Sequence, residues 1–158
     1  MRIKESLKSY IAGFLDGDGS VYVKLTRNDD YRYGYQLCPY VVFYQSRENR
    51  FGLEKIKNIT RLGYIRDRKD GISEYIIGDV NSIEELMRWV KPYVIFKKNH
   101  IKLMLDILRK KRKIKNAKDF LELCILIDKF KGLNYSKKRI NTAKQAEKVL
   151  MKKSLLTP

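Results

Sequence analysis

Ile11–Ser20, IAGFLDGDGS, joins a short apolar helix to two acids and three glycines. Gly13 and Gly17 are four residues apart and share a helix face, with Ala12 beside them, so a second backbone can pack closely there. Ile11, Phe14 and Leu15 supply the side turned to a core, and the glycines after Asp16 stop the helix. Asp18 is therefore expected at the helix's C-terminal end. A carboxylate and exposed terminal carbonyls both attract a hard divalent cation, and two such ends side by side make a two-carboxylate pocket suited to Mg²⁺. Two other readings compete. A calcium loop begun at Asp16 needs Gly at its sixth position and Glu at its twelfth, where the chain has Val21 and Arg27, so that pattern fails. A plain helix cap and glycine turn with solvated acids stays open on the motif alone.

Composition narrows the partner. The chain has 158 residues, of which 44% are hydrophobic and 11% aromatic, enough for one folded domain, expected over 1–153 with a frayed tail at 154–158. Its net charge of +17 implies a polyanionic partner, and residues 107–158 hold 16 Lys/Arg against 4 acids. No apolar run is long enough to suggest a membrane span, and MRIKESLKSY lacks the apolar segment of a secretory signal, so an intracellular protein is expected. Cys38 and Cys124 are too few for a disulfide framework or a zinc cluster, and His100 is the lone histidine.

Beyond the motif the order αββαββα is expected. Ser20–Arg27 alternates, with Tyr22, Lys24 and Thr26 on one face and Val21, Val23 and Leu25 on the other. Asn28–Gly34 is turn-prone, and Tyr35–Tyr44 follows with Tyr35, Leu37, Val41 and Phe43 inward and Gln36, Cys38 and Tyr40 outward. Pro39 argues for an edge or a bulge. A helix from Glu48 is expected to stop at Gly63. Tyr64–Arg68 and Ile72–Ile77 read as strands joined by an Asp70-Gly71 turn. Ser82 and Glu85 form a capping box for a helix that ends before Pro92. The rest is helical and basic. Ile101, Met104, Leu105 and Leu108 make one stripe, Arg109–Lys113 is a run of five cations, Asn116 with Asp119 caps a helix whose Cys124 is core, and a last helix spans about Asn141 to Lys153. Four strands carrying outward Tyr, Lys, Gln and Arg form a cationic platform that can meet base edges and phosphates. An ordinary solvated sheet face is the bland alternative.

IAGFLDGDG resembles the defining motif of the LAGLIDADG homing endonucleases, and a single copy in a chain of this length resembles their homodimeric branch. YIRDR at Tyr64–Arg68, the Lys-Pro-Tyr before Lys97, FLELCILIDKFKGLN at Phe120–Asn134 and SKKR at Ser136–Arg139 resemble that branch in the same order. The resemblance implies an α+β fold with a four-stranded antiparallel DNA-binding sheet and C-terminal helices. It also implies Mg²⁺- or Mn²⁺-dependent hydrolysis of both strands of a long pseudo-palindromic duplex, with short 3′ overhangs, to drive intron mobility, and no small-molecule substrate. Asp18 and the Gly17 carbonyl would hold metal, and Gln45 and Lys97 would stand by the attacking water, Lys97 being favoured over Lys98. The branch has a basic residue four after the Gln, where this chain has Asn49. Either Arg50 takes its place or the basic pocket is weakened.

Ala12, Gly13, Asp16 and Gly17 would form the homodimer interface. Tyr22, Lys24, Thr26, Asn28, Tyr31, Gln36, Cys38, Tyr40, Tyr64, Arg66, Arg68, Glu74 and Ile76 would face DNA, and Lys137, Lys138 and Arg139 would touch its backbone. The family's habit implies an intron-encoded protein, in an organelle or a microbe. Two other classes compete: a non-cleaving intron RNA maturase or DNA-binding protein on the same scaffold, and a basic structural RNA-binding protein, which explains the charge without the motif.

Overall fold

In the computed structural model, residues 3–135 and 141–157 are described. Helix α1 (Glu5–Asp18) starts well before the apolar motif, because Glu5, Leu7 and Lys8 favour helix and Lys8 pairs with Glu5 at 2.6 Å. It is followed by β1 (Gly19–Arg27), β2 (Tyr35–Ser46), a 3₁₀ turn (Arg47–Asn49), α2 (Arg50–Thr60), β3 (Tyr64–Asp67), β4 (Ile72–Ile77) and α3 (Val80–Val90). This is the expected αββαββα order. Four further helices extend it: α4 (Lys98–Lys111), α5 (Ala117–Asp128), α6 (Phe130–Leu133) and α7 (Ala143–Lys152). The strands form one four-stranded antiparallel sheet in the order β1-β2-β4-β3.

The chain divides into two compact units, one formed by the residues up to Val21 with Pro39–Ile101, the other by Tyr22–Cys38 with the chain from Lys102 onward. In the first, Ile11, Leu15, Leu53, Ile77, Ile83 and Leu86 are buried, and the rings of Phe14, Phe43 and Tyr75 follow one another at 5.2 and 5.6 Å. The Tyr75 hydroxyl donates to the Leu62 carbonyl at 2.9 Å and lies 2.7 Å from the Thr60 hydroxyl, so a buried polar tip is satisfied. The register pairs Tyr44 with Glu74 and Val42 with Ile76 between β2 and β4, and Arg66 with Glu74 and Tyr64 with Ile76 between β3 and β4. In the second unit, Tyr33 stacks on Phe120 at 4.9 Å, and Cys124 is buried core, as read. Asn141 Nδ2 donates to the Leu25 carbonyl at 2.7 Å. Asn116 caps α5 by accepting from the Asp119 N–H, as expected, and Thr142 with Gln145 boxes the start of α7.

Several local expectations change. Helix α3 begins earlier than its Ser82–Glu85 pattern suggests, because Asp79 is extended and its carboxylate takes the Ser82 N–H at 2.8 Å. Helix α2 ends with Arg61 in the left-handed conformation, so the stop comes before Gly63. Gly63 is also left-handed, at φ +60°, and a Cβ there would lie 2.1 Å from the Ile76 carbonyl oxygen. Pro39 sits on an interior strand, past the last β2–β4 pair at Val41–Ile77, so that ladder asks no N–H of it. At the end of α7, Ser154 N–H and Leu155 N–H donate to Met151 and Leu150 carbonyls, each at 2.9 Å, so the tail's first residues fold back on the helix.

Candidate active site and nucleic-acid interface

Helix α1 ends at Asp18, so its last carbonyls have no further helical turn to supply their donors. The Leu15 carbonyl takes the Gly19 N–H, and the Asp16 carbonyl takes the Lys97 ammonium at 2.9 Å. Asp18 itself is exposed, and one of its oxygens accepts from Gln45 Nε2 at 3.1 Å. Gln45 lies near the end of β2, and its own amide oxygen faces Asn49 Nδ2 at 3.4 Å. A chain of side chains thus runs Asn49–Gln45–Asp18.

Asp16 has a different task from its neighbour. Its carboxylate accepts the N–H groups of Ile95 at 2.6 Å, Phe96 at 3.3 Å and Lys97 at 3.0 Å, which ties the turn before α4 to the end of α1. Asp16, expected at the homodimer interface, makes these bonds within its own chain. Lys97 is half-buried and Lys98 exposed. Burial lowers the Lys97 pKa below the ordinary lysine value, and the carboxylates of Asp16 and Asp18 oppose that fall.

Arg50, the expected substitute for the missing basic residue, has partners of its own. Arg50 Nε lies 3.2 Å from both oxygens of Asp67, and its Nη1 bonds Glu54, so its guanidinium is committed to α2 and β3 and does not join the Asp18 cluster. The Ser73 hydroxyl, together with Arg50 and Arg47, holds the Asp67 carboxyl below the usual range, against the opposing effect of burial. Asn49 therefore occupies the place beside Gln45 with no charge.

The pairing strip is narrower than expected. A Cβ at Gly13 or Gly17 would meet nothing within 4 Å, so the helix face they share is open. Ala12 is 0% exposed and belongs to the core of its own chain, because it falls on the side of Ile11 and Leu15.

In the second unit, Lys24 and Gln36 are exposed, while Tyr22, Thr26 and Cys38 are half-buried; the Thr26 hydroxyl lies 4.0 Å from the Cys38 sulfur. Tyr31 is exposed, and the Asn28 side chain accepts from the Asp30 N–H at 3.0 Å, which shapes the β1–β2 loop. In the first unit Tyr64, Arg66 and Arg68 are exposed and Tyr40 half-buried. Glu74 and Ile76, expected to face DNA, are 5% and 4% exposed. Glu74 is covered because Arg66 Nε reaches its carboxylate at 2.9 Å and Arg68 Nη1 at 3.5 Å, so it orients two arginines from beneath. Lys137, Lys138 and Arg139 lie outside the described residues.

A helix ending in a free carboxylate, a Gln leaning on it and a clasped lysine can be set beside known proteins. Residues 11–108 match the LAGLIDADG endonuclease family. The chain belongs to this family. DNA endonuclease I-CreI of Chlamydomonas reinhardtii is 32% identical over 142 residues, covering 89% of this chain and 86% of that protein. DNA endonuclease I-CvuI of Chlorella vulgaris is 31% identical over 144 residues, covering 91% and 89%. The crystal structure of I-CvuI in complex with the I-CreI target aligns at a TM-score of 0.91 with 29% identity over 97% of this chain and 98% of that one. The archaeal intron-encoded I-Vdi141I, complexed with DNA, aligns at 0.84 with 22% identity over 97% and 100%, which speaks to the fold. This LAGLIDADG chain has no helix long and apolar enough to cross a membrane among its described residues.

The roles of Asp16 and Glu74 were missed because no local pattern carries them. Asp16 meets partners 79 to 81 positions away, and Glu74 is hidden only once β3 lies alongside.

Proposed function

We propose that this chain is a site-specific homing endonuclease that hydrolyses both strands of a long duplex target as a homodimer, using a divalent cation. The observation that carries this reading is the exposed Asp18 at the end of α1, held by Gln45, in a LAGLIDADG chain. The donors are of the kind a hard cation takes: the Asp18 carboxylate, with the Gly17 carbonyl in the same terminal turn. A single carboxylate is a poor site by itself, which supports a second copy bringing its own Asp18 through the open Gly13/Gly17 face.

A bound Mg²⁺ or Mn²⁺ would supply Lewis-acid stabilisation of the phosphate and an activated water. Asp18 and the Gly17 carbonyl would hold it. Gln45 fixes the Asp18 carboxylate and keeps an amide edge for a water, while Lys97, anchored on the Asp16 carbonyl, offers a cation beside the scissile phosphate. The outward side chains of the strands read base edges, each protomer addressing one half of a pseudo-palindromic target. A single domain over 1–153, short 3′ overhangs and service to a mobile intron in an organelle or microbe complete the reading.

A second reading has one observation in its favour. Asn49 carries no charge and Arg50 is committed elsewhere, so the basic pocket is depleted, as a non-cleaving DNA-binding protein or maturase would tolerate. The test is Mg²⁺-dependent cutting of a plasmid library with long randomised inserts, with Asp18→Asn in parallel. Staggered cuts at defined pseudo-palindromes, lost in Asp18→Asn while duplex binding persists, are expected. A folded wild-type protein that binds duplex without cutting selects the second reading.

A further inference from the structure

The five consecutive cations Arg109–Lys113 lie just past residues 11–108, the part of the chain that matches the family, and nothing in the active site uses them. They end α4: Arg109, Lys110 and Lys111 form its last turn, and Arg112 and Lys113 continue into the following turn. All five are exposed. Cations at a helix C-terminus favour the macrodipole, but that effect is confined to the last turn and is satisfied by one or two charges. Arg109 also leans on Asp106 at 3.3 Å, an exposed pair. Lys115 and Lys118 extend the same positive stretch, and residues 107–158 hold 16 Lys/Arg against 4 acids. Adjacent like charges repel one another, so such a run is tolerated at a cost that a polyanion would remove. The positions follow one another around the helix end and therefore form a collar, which suits a phosphate backbone better than the edge of one base.

We propose that Arg109–Lys113 is a phosphate-binding collar for duplex DNA that sets affinity, salt dependence and search along DNA without contributing to sequence choice. The proposal rests on the endonuclease reading. Its contribution is counterion release, which is independent of sequence and is carried by flexible lysines as well as by arginines.

The test compares the unsubstituted full-length chain with a Lys110→Gln/Lys111→Gln/Lys113→Gln variant and a charge-matched Lys144→Gln/Lys148→Gln/Lys152→Gln control on α7. Binding to target duplex, unrelated duplex and a duplex RNA of equal length is followed from 50 to 200 mM salt. With about 0.9 in slope per phosphate contact, three lost contacts make the collar variant's affinity fall roughly 40-fold less than wild type across that range, on target and unrelated DNA alike. The control keeps the wild-type slope, and the set of cleaved sequences is unchanged. A collar variant with the wild-type slope overturns the proposal, as does a control that shifts the slope equally, which would mean diffuse charge. A loss confined to RNA overturns it in favour of an RNA surface. Failure of the unsubstituted chain to bind any duplex DNA sinks the endonuclease reading and the collar with it.

Discussion

Asp16 and Asp18 stand two positions apart with opposite fates. Asp16 is engaged by three backbone N–H groups and so positions Lys97, whereas Asp18 is exposed and takes a bond from Gln45. Deep in the same unit, Tyr75 shows what a satisfied buried polar group is worth. Burial pushes its phenol up from 10.0 to about 12, with the Thr60 hydrogen bond opposing. A folded-state pKa above the unfolded one contributes stability that is complete below pH 10.0 and lost as pH rises towards about 12, because the unfolded chain releases the proton first. Alkaline denaturation should therefore steepen across that interval. Tyr75→Phe should remove this part of the slope and cost about 1–2 kcal/mol at neutral pH by leaving the Leu62 carbonyl and Thr60 hydroxyl short of a partner. Urea unfolding at stepped pH measures both, and a variant with the wild-type alkaline profile would show that Tyr75 is not responsible.

At the scale of elements, the periodic signals carried most of the architecture. The inward and outward faces of β1 and β2 follow alternation, and the Asn116 cap follows from two side chains three apart. Caps with rival candidates were harder. Ser82–Glu85 has the pattern of a capping box, yet Asp79 wins because the chain enters the helix from an extended β4 exit that puts its carboxylate on the Ser82 N–H. That bond holds the Asp79 pKa below the usual carboxylate value. Asp79→Ala should lower stability by about 1 kcal/mol, while Ser82→Ala should change it by less than about half of that. Equal losses in thermal melts of the two variants would return the cap to Ser82. Arg50 teaches a similar lesson: its position suits a basic residue near Gln45, but Glu54 one turn along and Asp67 across on β3 compete for it and win.

For the whole molecule, the proposed homodimer would bring two copies of the motif and of Asp18 together, and the open face of α1 is where they would pack. Inside the protomer a Cβ at Gly13 would meet nothing within 4 Å, so Gly13→Leu should fold and gain about 0.5–1 kcal/mol of helix stability. The same side chain should hold two helices apart, so sedimentation should show a monomer that no longer makes double-strand cuts. A Gly13→Leu protein that stays dimeric would place the interface elsewhere. By itself the sequence determined what depends on near neighbours: element order, strand faces, the helix end that presents Asp18, the excess of positive charge and the family. Only the tertiary structure decided which of Asp16 and Asp18 is exposed, that Ala12 belongs to the interior, that Ile76 is covered although it pairs with exposed Tyr64, that Glu74 lies beneath Arg66 and Arg68, and that Arg50 turns away from the cluster. Those outcomes are competitions among groups brought together from distant parts of the chain, and periodicity of two or 3.6 residues carries no information about which partner wins.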